Sequence, residues 1–78
     1  MAQKFASNYA LEPGNPGDTG VVQVVSLTGS VSLQGTVDGT NWTEIKNYTA
    51  AAIDAVVLAP QMRVVQTGGS DAVVWLEG

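Results

Sequence analysis

The sequence predicts an all-β protein: a small antiparallel β-sandwich or barrel of about six short strands, preceded by an irregular N-terminal arm. Three observations predict this class. Apolar and polar residues alternate with a period of two in several short segments. Residues typical of turns separate these segments at close spacing. The apolar pattern does not support alternating strands and helices. At 78 residues, the chain has room for one small domain.

Residues 1–20 are predicted to form the irregular arm, and residues 21–78 the β domain. The arm ends in a run of chain-breaking residues, which fix or loosen the backbone: Glu12-Pro13-Gly14-Asn15-Pro16-Gly17-Asp18. It also carries three large apolar side chains, those of Phe5, Tyr9 and Leu11. Two readings stay open, a frayed terminus and an arm whose apolar side chains dock on a partner. On the second reading, we expect the arm to serve attachment rather than folding.

The first predicted strand spans residues 21–28 and is apolar on both faces, so we expect it to be central or covered. Residues 30–37 form the second strand, with a half-buried alternation. Asp38-Gly39 then supplies a tight turn in which glycine adopts positive φ without steric cost. The third strand spans residues 42–47 and begins at Trp42.

The second half of the chain is predicted to form three more strands. The fourth spans about residues 52–58, although Ala50-Ala51-Ala52 is also compatible with one helical turn. Pro60 ends it, and residues 62–67 form the fifth. Gly68-Gly69-Ser70-Asp71 is a hairpin loop, and residues 72–77 form the last strand.

Composition excludes several classes of function. The chain has no cysteine and no histidine, so it offers neither a disulfide nor the usual zinc ligands. Its net charge of −4 and its three scattered cations argue against nucleic acid as a partner. Its longest apolar stretch is too short to cross a membrane, and no targeting signal is visible.

Structural roles explain the candidate site residues better than catalysis or ligand binding does. Asp38 and Glu44 lie across one turn, yet Asp38 is accounted for by turn geometry, so we expect no catalytic pair and no enzyme. The aspartates lack the spacing of a calcium loop, and we expect no metal and no cofactor. Trp42 and Trp75 are expected in the core or at a subunit interface, with stacking on a sugar ring as the alternative. Asp38, Gly39 and Trp42 are therefore predicted to be structural.

Two motifs of the chain resemble those of a known class of protein. The run Val31-Ser32-Leu33-Gln34-Gly35-Thr36-Val37-Asp38-Gly39-Thr40-Asn41-Trp42-Thr43 is similar to a hairpin of the form S/T-x-D-G-x-x-W that occurs in small virion proteins of tailed bacteriophages. The later run Met62-Arg63-Val64-Val65-Gln66-Thr67-Gly68-Gly69-Ser70-Asp71-Ala72-Val73-Val74-Trp75-Leu76 resembles their ending, R-V-x-x-T-G-x-G followed by an alternating strand. A similar first motif occurs in discoidin-like carbohydrate-binding sandwiches, which are roughly twice as long.

The resemblance implies a head decoration (cement) protein that is made in the host cytoplasm and sits on the capsid exterior. It implies the major capsid protein as partner and a homo-oligomer, with a trimer favoured. Small size without disulfides makes a lone monomer marginally stable, which also favours assembly. The alternatives are a tail or head–tail accessory protein and a small glycan-binding β module.

Overall fold

The computed structural model describes residues 2–5, 10–69 and 71–78. Seven strands follow one another: β1 (Ala2–Lys4), β2 (Thr19–Ser26), β3 (Ser30–Thr36), β4 (Thr43–Tyr48), β5 (Ala52–Val57), β6 (Gln61–Thr67) and β7 (Val73–Glu77). They form two antiparallel sheets, a four-stranded one in the order β1-β7-β2-β5 and a three-stranded one in the order β4-β3-β6. The described residues contain no helix. The predicted all-β class and small antiparallel sandwich are confirmed.

The core lies between the two sheets and is built from alternate residues of their strands. Because side chains along a strand point to opposite faces, one apolar residue in two reaches the interior. Val22 and Val24 of β2 face Val31 and Leu33 of β3 in this way, and all four are almost fully buried. The buried apolar residues form one cluster: Phe5, Val22, Val24, Val31, Leu33, Tyr48, Val56, Leu58, Met62, Val74 and Leu76.

Edge strands of the two sheets are tied together where β4 leads into β5. Lys46 Nζ lies 3.4 Å from Asp54 Oδ2, and the hydroxyl of Tyr48 donates to the same oxygen at 3.4 Å. Burial raises the pKa of Tyr48, and the negative charge of Asp54 raises it further. These contacts close one side of the sandwich.

The predicted strands agree with the observed ones to within two residues at each end. The alternation at residues 52–57 forms strand β5, and not a helical turn. Strand β2 lies between β7 and β5 and is central, as predicted. Its outer face is nevertheless exposed at Val21 and Val25. Ser70 of the predicted hairpin loop lies outside the described residues.

The prediction of an irregular arm over residues 1–20 is wrong at both ends. Ala2–Lys4 form β1 and pair with β7, and Phe5 is only 4% exposed in the core. Thr19 and Gly20 belong to β2. The physical reason is that β7 offers an edge of unpaired backbone groups, which three residues of almost any sequence can satisfy. Residues 12–18 are irregular, as predicted.

Candidate functional site

Asp38 organises the loop between β3 and β4 as an acceptor of four hydrogen bonds. Its Oδ1 accepts from the backbone N–H groups of Thr40 and Asn41, both at 2.8 Å, and from the Thr36 hydroxyl at 3.0 Å. Its Oδ2 accepts from Asn41 Nδ2 at 2.6 Å. Gly39 takes a φ of +82° and donates its N–H to Thr36 Oγ1 at 3.1 Å. The aspartate and the glycine therefore hold a turn that L-residues with larger side chains resist.

These hydrogen bonds also explain the acidity of Asp38. The backbone N–H groups of Asn41 and Thr40 stabilise the carboxylate, and so do the side chains of Asn41 and Thr36. They hold the pKa of Asp38 well below its ordinary value. The carboxylate is thus ionised and already used as an acceptor by its own loop, which is consistent with the predicted turn role.

Trp42 is half-buried and is covered by an arginine. The guanidinium carbon of Arg63 lies 4.3 Å from the centroid of the Trp42 ring. The sequence analysis did not predict this contact. Arg63 comes 21 residues after Trp42 and reaches it only because β6 pairs with β3. Trp42 packs on the outer side of the three-stranded sheet, and not in the core.

Polar side chains continue from this arginine across the outer face of the three-stranded sheet. Arg63 Nε donates to Gln34 Oε1 at 2.7 Å, and Gln34 Nε2 donates to Ser32 Oγ at 3.3 Å. The Ser32 hydroxyl in turn donates to Glu44 Oε1 at 2.7 Å. The row crosses all three strands. The row has a positive charge at its Arg63 end and a negative charge at its Glu44 end. Its polar groups form hydrogen bonds with one another.

The outer face of the four-stranded sheet is richer in exposed apolar side chains, although Gln23 and Glu77 also lie on it. The register puts Trp75 opposite Gln23 and Gln23 opposite Ile53, and it puts Val21 opposite Ala55. Ile53 is 68% exposed and Trp75 is 39% exposed. Five large apolar side chains point outward from this sheet, and we call them the apolar face: Val21, Val25, Ile53, Val57 and Trp75. Trp75 was predicted in the core or at an interface, but Val74 and Leu76 take the inward positions of β7.

Two of the three residues predicted as partner contacts, Phe5 and Leu11, bind other parts of this chain. Phe5 is part of this chain's own core, and its N–H donates to the Val74 carbonyl at 2.9 Å. Leu11 is half-buried and bridges to Met62, with its N–H 2.7 Å from the Met62 carbonyl. Tyr9 lies outside the described residues. Phe5 is therefore unavailable to a partner, because large apolar side chains gain more from the core than from solvent.

A second group of side-chain hydrogen bonds joins two turns at the end of β3 opposite the Asp38 loop. Asp71 Oδ2 accepts from the Thr28 hydroxyl at 2.8 Å, and Asp71 Oδ1 accepts from Gln66 Nε2 at 2.9 Å. Gln66 also binds the Thr28 carbonyl at 2.6 Å and the Ala72 N–H at 2.7 Å. The side-chain hydrogen bonds from Gln66 and Thr28 lower the pKa of Asp71. This cluster holds two loops together and leaves little acceptor capacity for a ligand.

Within the described residues, no group of three or more acidic side chains could hold a metal ion. The same part of the chain contains no helix long and apolar enough to cross a membrane. The features that distinguish this molecule are therefore surfaces: the apolar face, the polar row, and the loops at the Asp38 end.

Sequence reasoning named Asp38, Gly39 and Trp42 and missed the apolar face as a unit. The signal was present, because Ile53, Ala55 and Val57 alternate with the inward residues of β5 and are themselves apolar. For the first predicted strand, residues 21–28, a two-sided apolar pattern predicted a central or covered position. The structure shows that no described element of the chain covers the apolar face.

Comparison with known proteins adds no relative. No protein-family model matches the chain, and neither the curated proteins nor the solved structures contain a significant match. We therefore infer a function from the residues of this chain and their arrangement.

Proposed function

We propose that this chain is a structural virion protein that binds the outside of an assembled phage capsid and stabilises it. The observation that carries the proposal is the apolar face. Antiparallel sheets normally present polar residues where they meet water, and contiguous exposed apolar surface marks contact with another protein. The resemblance of the two hairpin motifs to phage virion proteins supports the capsid as the site of assembly.

We further propose that the chain is a homotrimer in this assembly. The molecule measures 29 × 25 × 17 Å, so its broad sides fall in the size class of a standard interface, in which each partner buries ~800 Å². In a trimer with threefold symmetry, each contact joins two different patches on neighbouring copies, so the apolar face would form one side of that contact. Burial there would add stability to a chain that has no disulfide.

The stabilising mechanism is mass action. A protein that binds the assembled shell, and not its free subunits, shifts the equilibrium toward the shell. Several copies held together in one oligomer bind with higher avidity than one copy. No catalytic group is needed for this role, and the described side chains supply hydrogen bonds and apolar surface.

Two other roles compete with this one. A tail or head–tail accessory protein would use the same apolar face at a different place in the particle. A glycan-binding module is favoured by one specific observation, the exposed indole of Trp75 between Lys4 and Gln23 on the neighbouring strands. Exposed indoles stack on the faces of sugar rings.

The decisive experiment measures assembly and capsid binding with Ile53→Ser, which removes the most exposed part of the apolar face. Light scattering at micromolar concentration should show a trimer for the wild type and a shift toward monomer for the variant. Cosedimentation with undecorated, expanded capsids should show weaker binding. The matched control is Val65→Ser, because Val65 is an exposed valine on the outer face of the other sheet, opposite Ser32.

The outcomes separate the three roles. A monomeric wild type that does not cosediment with capsids would contradict the proposal. Binding to isolated tails but not to heads would support the accessory role. Quenching of Trp75 fluorescence by a surface polysaccharide, lost in Trp75→Phe and kept in Ile53→Ser, would support the glycan module.

A further inference from the structure

A cleft of about 760 Å³ opens at the end of the sandwich where β3 leads into β4. Its walls come from the Asp38 loop on one side and from residues 57–60 on the other, with Gly17 at the rim. The lining is largely apolar and includes Val37, Ile45, Leu58, Ala59 and Pro60. Val37 stands out because it is 85% exposed, more than any other large apolar side chain described in this chain. Only Val57 belongs both to this cleft and to the apolar face.

The cleft is held open by rigid elements. At its floor, a Cβ on Gly35 would lie 2.8 Å from Ala59 Cβ and 3.0 Å from Ile45 Cδ1, so only glycine permits this approach. Above it, the hydrogen bonds to Asp38 hold the loop that carries Val37. A preformed apolar cleft binds a ligand without the free-energy cost of ordering its own walls.

Several charged side chains contact residues that do not line the cleft. Lys46 Nζ lies 3.4 Å from Asp54 Oδ2, and Arg63 and Glu44 lie at the two ends of the polar row. Four other acids of the chain are Glu12, Asp18, Asp38 and Asp71.

Three of these four acids lie at the cleft. Asp38 lines it, and the carbonyl of Asp18 accepts from the N–H of the lining residue Leu58 at 2.8 Å. Glu12 Oε1 accepts from Gln61 Nε2 at 3.4 Å, next to Pro60. The cleft is therefore largely apolar, with the Asp38 carboxylate in its lining and two further acidic residues beside it. We call Asp38, Asp18 and Glu12 the acidic rim.

We propose that this cleft binds an extended segment of a partner protein in which an apolar side chain is flanked by lysine or arginine. The apolar side chain would bury against Val37 and Ile45, and the flanking cations would meet the acidic rim. Charge complementarity of this kind speeds association and selects the partner, while apolar burial supplies most of the affinity. The site shares Val57 with the apolar face, but the proposal does not depend on the assembly proposed there.

The test uses the acetylated and amidated peptide Lys-Leu-Ser-Leu-Lys as probe, followed by ¹⁵N–¹H correlation spectra of the whole chain. Amide shifts should concentrate at Val37, Ile45 and Ala59, and binding should weaken on addition of salt. Val37→Ser should weaken binding about fivefold, because it removes apolar contact from a side chain that does not support the fold. Asp18→Asn should weaken it about twofold by removing one rim charge.

Matched controls are Val65→Ser for the apolar change and Asp71→Asn for the charge, and both should bind the peptide like the wild type. The peptide Glu-Leu-Ser-Leu-Glu should not bind at the cleft. The proposal is overturned if the acidic peptide binds equally well, if Val37→Ser has no effect, or if no cleft amide shifts at millimolar peptide. Shifts that map to Trp75 and Ile53 instead would assign peptide binding to the apolar face and also overturn it.

Discussion

The outer faces of the two sheets differ in whether their large side chains are covered by polar groups or exposed to solvent. On the three-stranded sheet, Arg63 covers Trp42 and starts a hydrogen-bonded row that ends at Glu44. On the four-stranded sheet, Ile53 and Trp75 stand in solvent. Both sheets alternate with a period of two and bury similar inner faces. The difference shows that core formation constrains only every second residue, so the outward residues of a strand report what the sheet meets outside the chain.

The largest effect on stability is expected at Phe5, which directly follows β1 of the four-stranded sheet. Phe5→Ala should lower the free energy of unfolding by about 3–5 kcal/mol, because it empties a core site next to Val74. The free energy of unfolding of a small domain is only about 5–15 kcal/mol, so the variant should be largely unfolded at 37 °C. Urea denaturation followed by circular dichroism measures the change.

Lys4→Ala is the matched control for Phe5→Ala, since Lys4 is the neighbouring residue and is exposed. Its effect should stay within about 0.5 kcal/mol. Equal stability of Phe5→Ala and the wild type would show that residues 1–5 are an independent arm, as the sequence predicted, and would remove the fourth strand from the comparison.

A smaller effect is expected at the turn that joins β3 to β4 at the edge of the three-stranded sheet. Gly39→Val should destabilise by roughly 1–3 kcal/mol, because a β-branched residue tolerates the φ of +82° poorly. Gly14→Val should change stability little, since a Cβ at Gly14 meets no atom within 4 Å and Gly14 does not need positive φ. Thermal unfolding of both variants tests this, and an equal loss in both would contradict the role of the turn.

Removing the Arg63 side chain should expose the Trp42 ring on the three-stranded sheet, much as Trp75 is exposed on the four-stranded sheet. Arg63→Ala should destabilise by about 1 kcal/mol through loss of the cation–π contact and of the hydrogen bond to Gln34. It should also shift the fluorescence of Trp42 to longer wavelength as its ring meets water. Trp75→Phe, introduced in both backgrounds, isolates that signal. An unchanged Trp42 spectrum in Arg63→Ala would mean that the arginine does not shield the ring.

The smallest effect concerns acid stability, which depends on the two loops at the ends of β3. Both Asp38 and Asp71 have a pKa below the ordinary 3.8, so each contributes stability that is present above about pH 4 and is lost as the pH falls below that value. Asp38→Asn should flatten the acid limb of a plot of stability against pH, and it should change little at pH 7 because asparagine serves the same turns.

Asp71→Asn should flatten the same limb by a further amount. The two effects should add, because the loops lie at opposite ends of β3 and share no partner. Denaturation midpoints between pH 2 and pH 7 measure the slope. An acid limb identical to that of the wild type in the double variant would contradict the assignment.

Local pattern by itself determined the strands and the turns. Period-two alternation defined β2 to β7 to within two residues, and Asp38-Gly39 identified the turn, because both depend on backbone geometry over a few neighbouring residues. The candidate site was partly predictable for the same reason. Asp38 and Gly39 find their partners within three residues along the chain.

The tertiary structure alone decided the rest. Phe5 enters the core, Arg63 covers Trp42, and Ile53 joins Trp75 on one face only after distant strands have paired. Sequence alternation separates the two faces of a strand but does not say which strands are neighbours or whether an apolar outer face is covered. Those outcomes depend on strand order and register, which are set by the sum of many long-range contacts and not by any one segment.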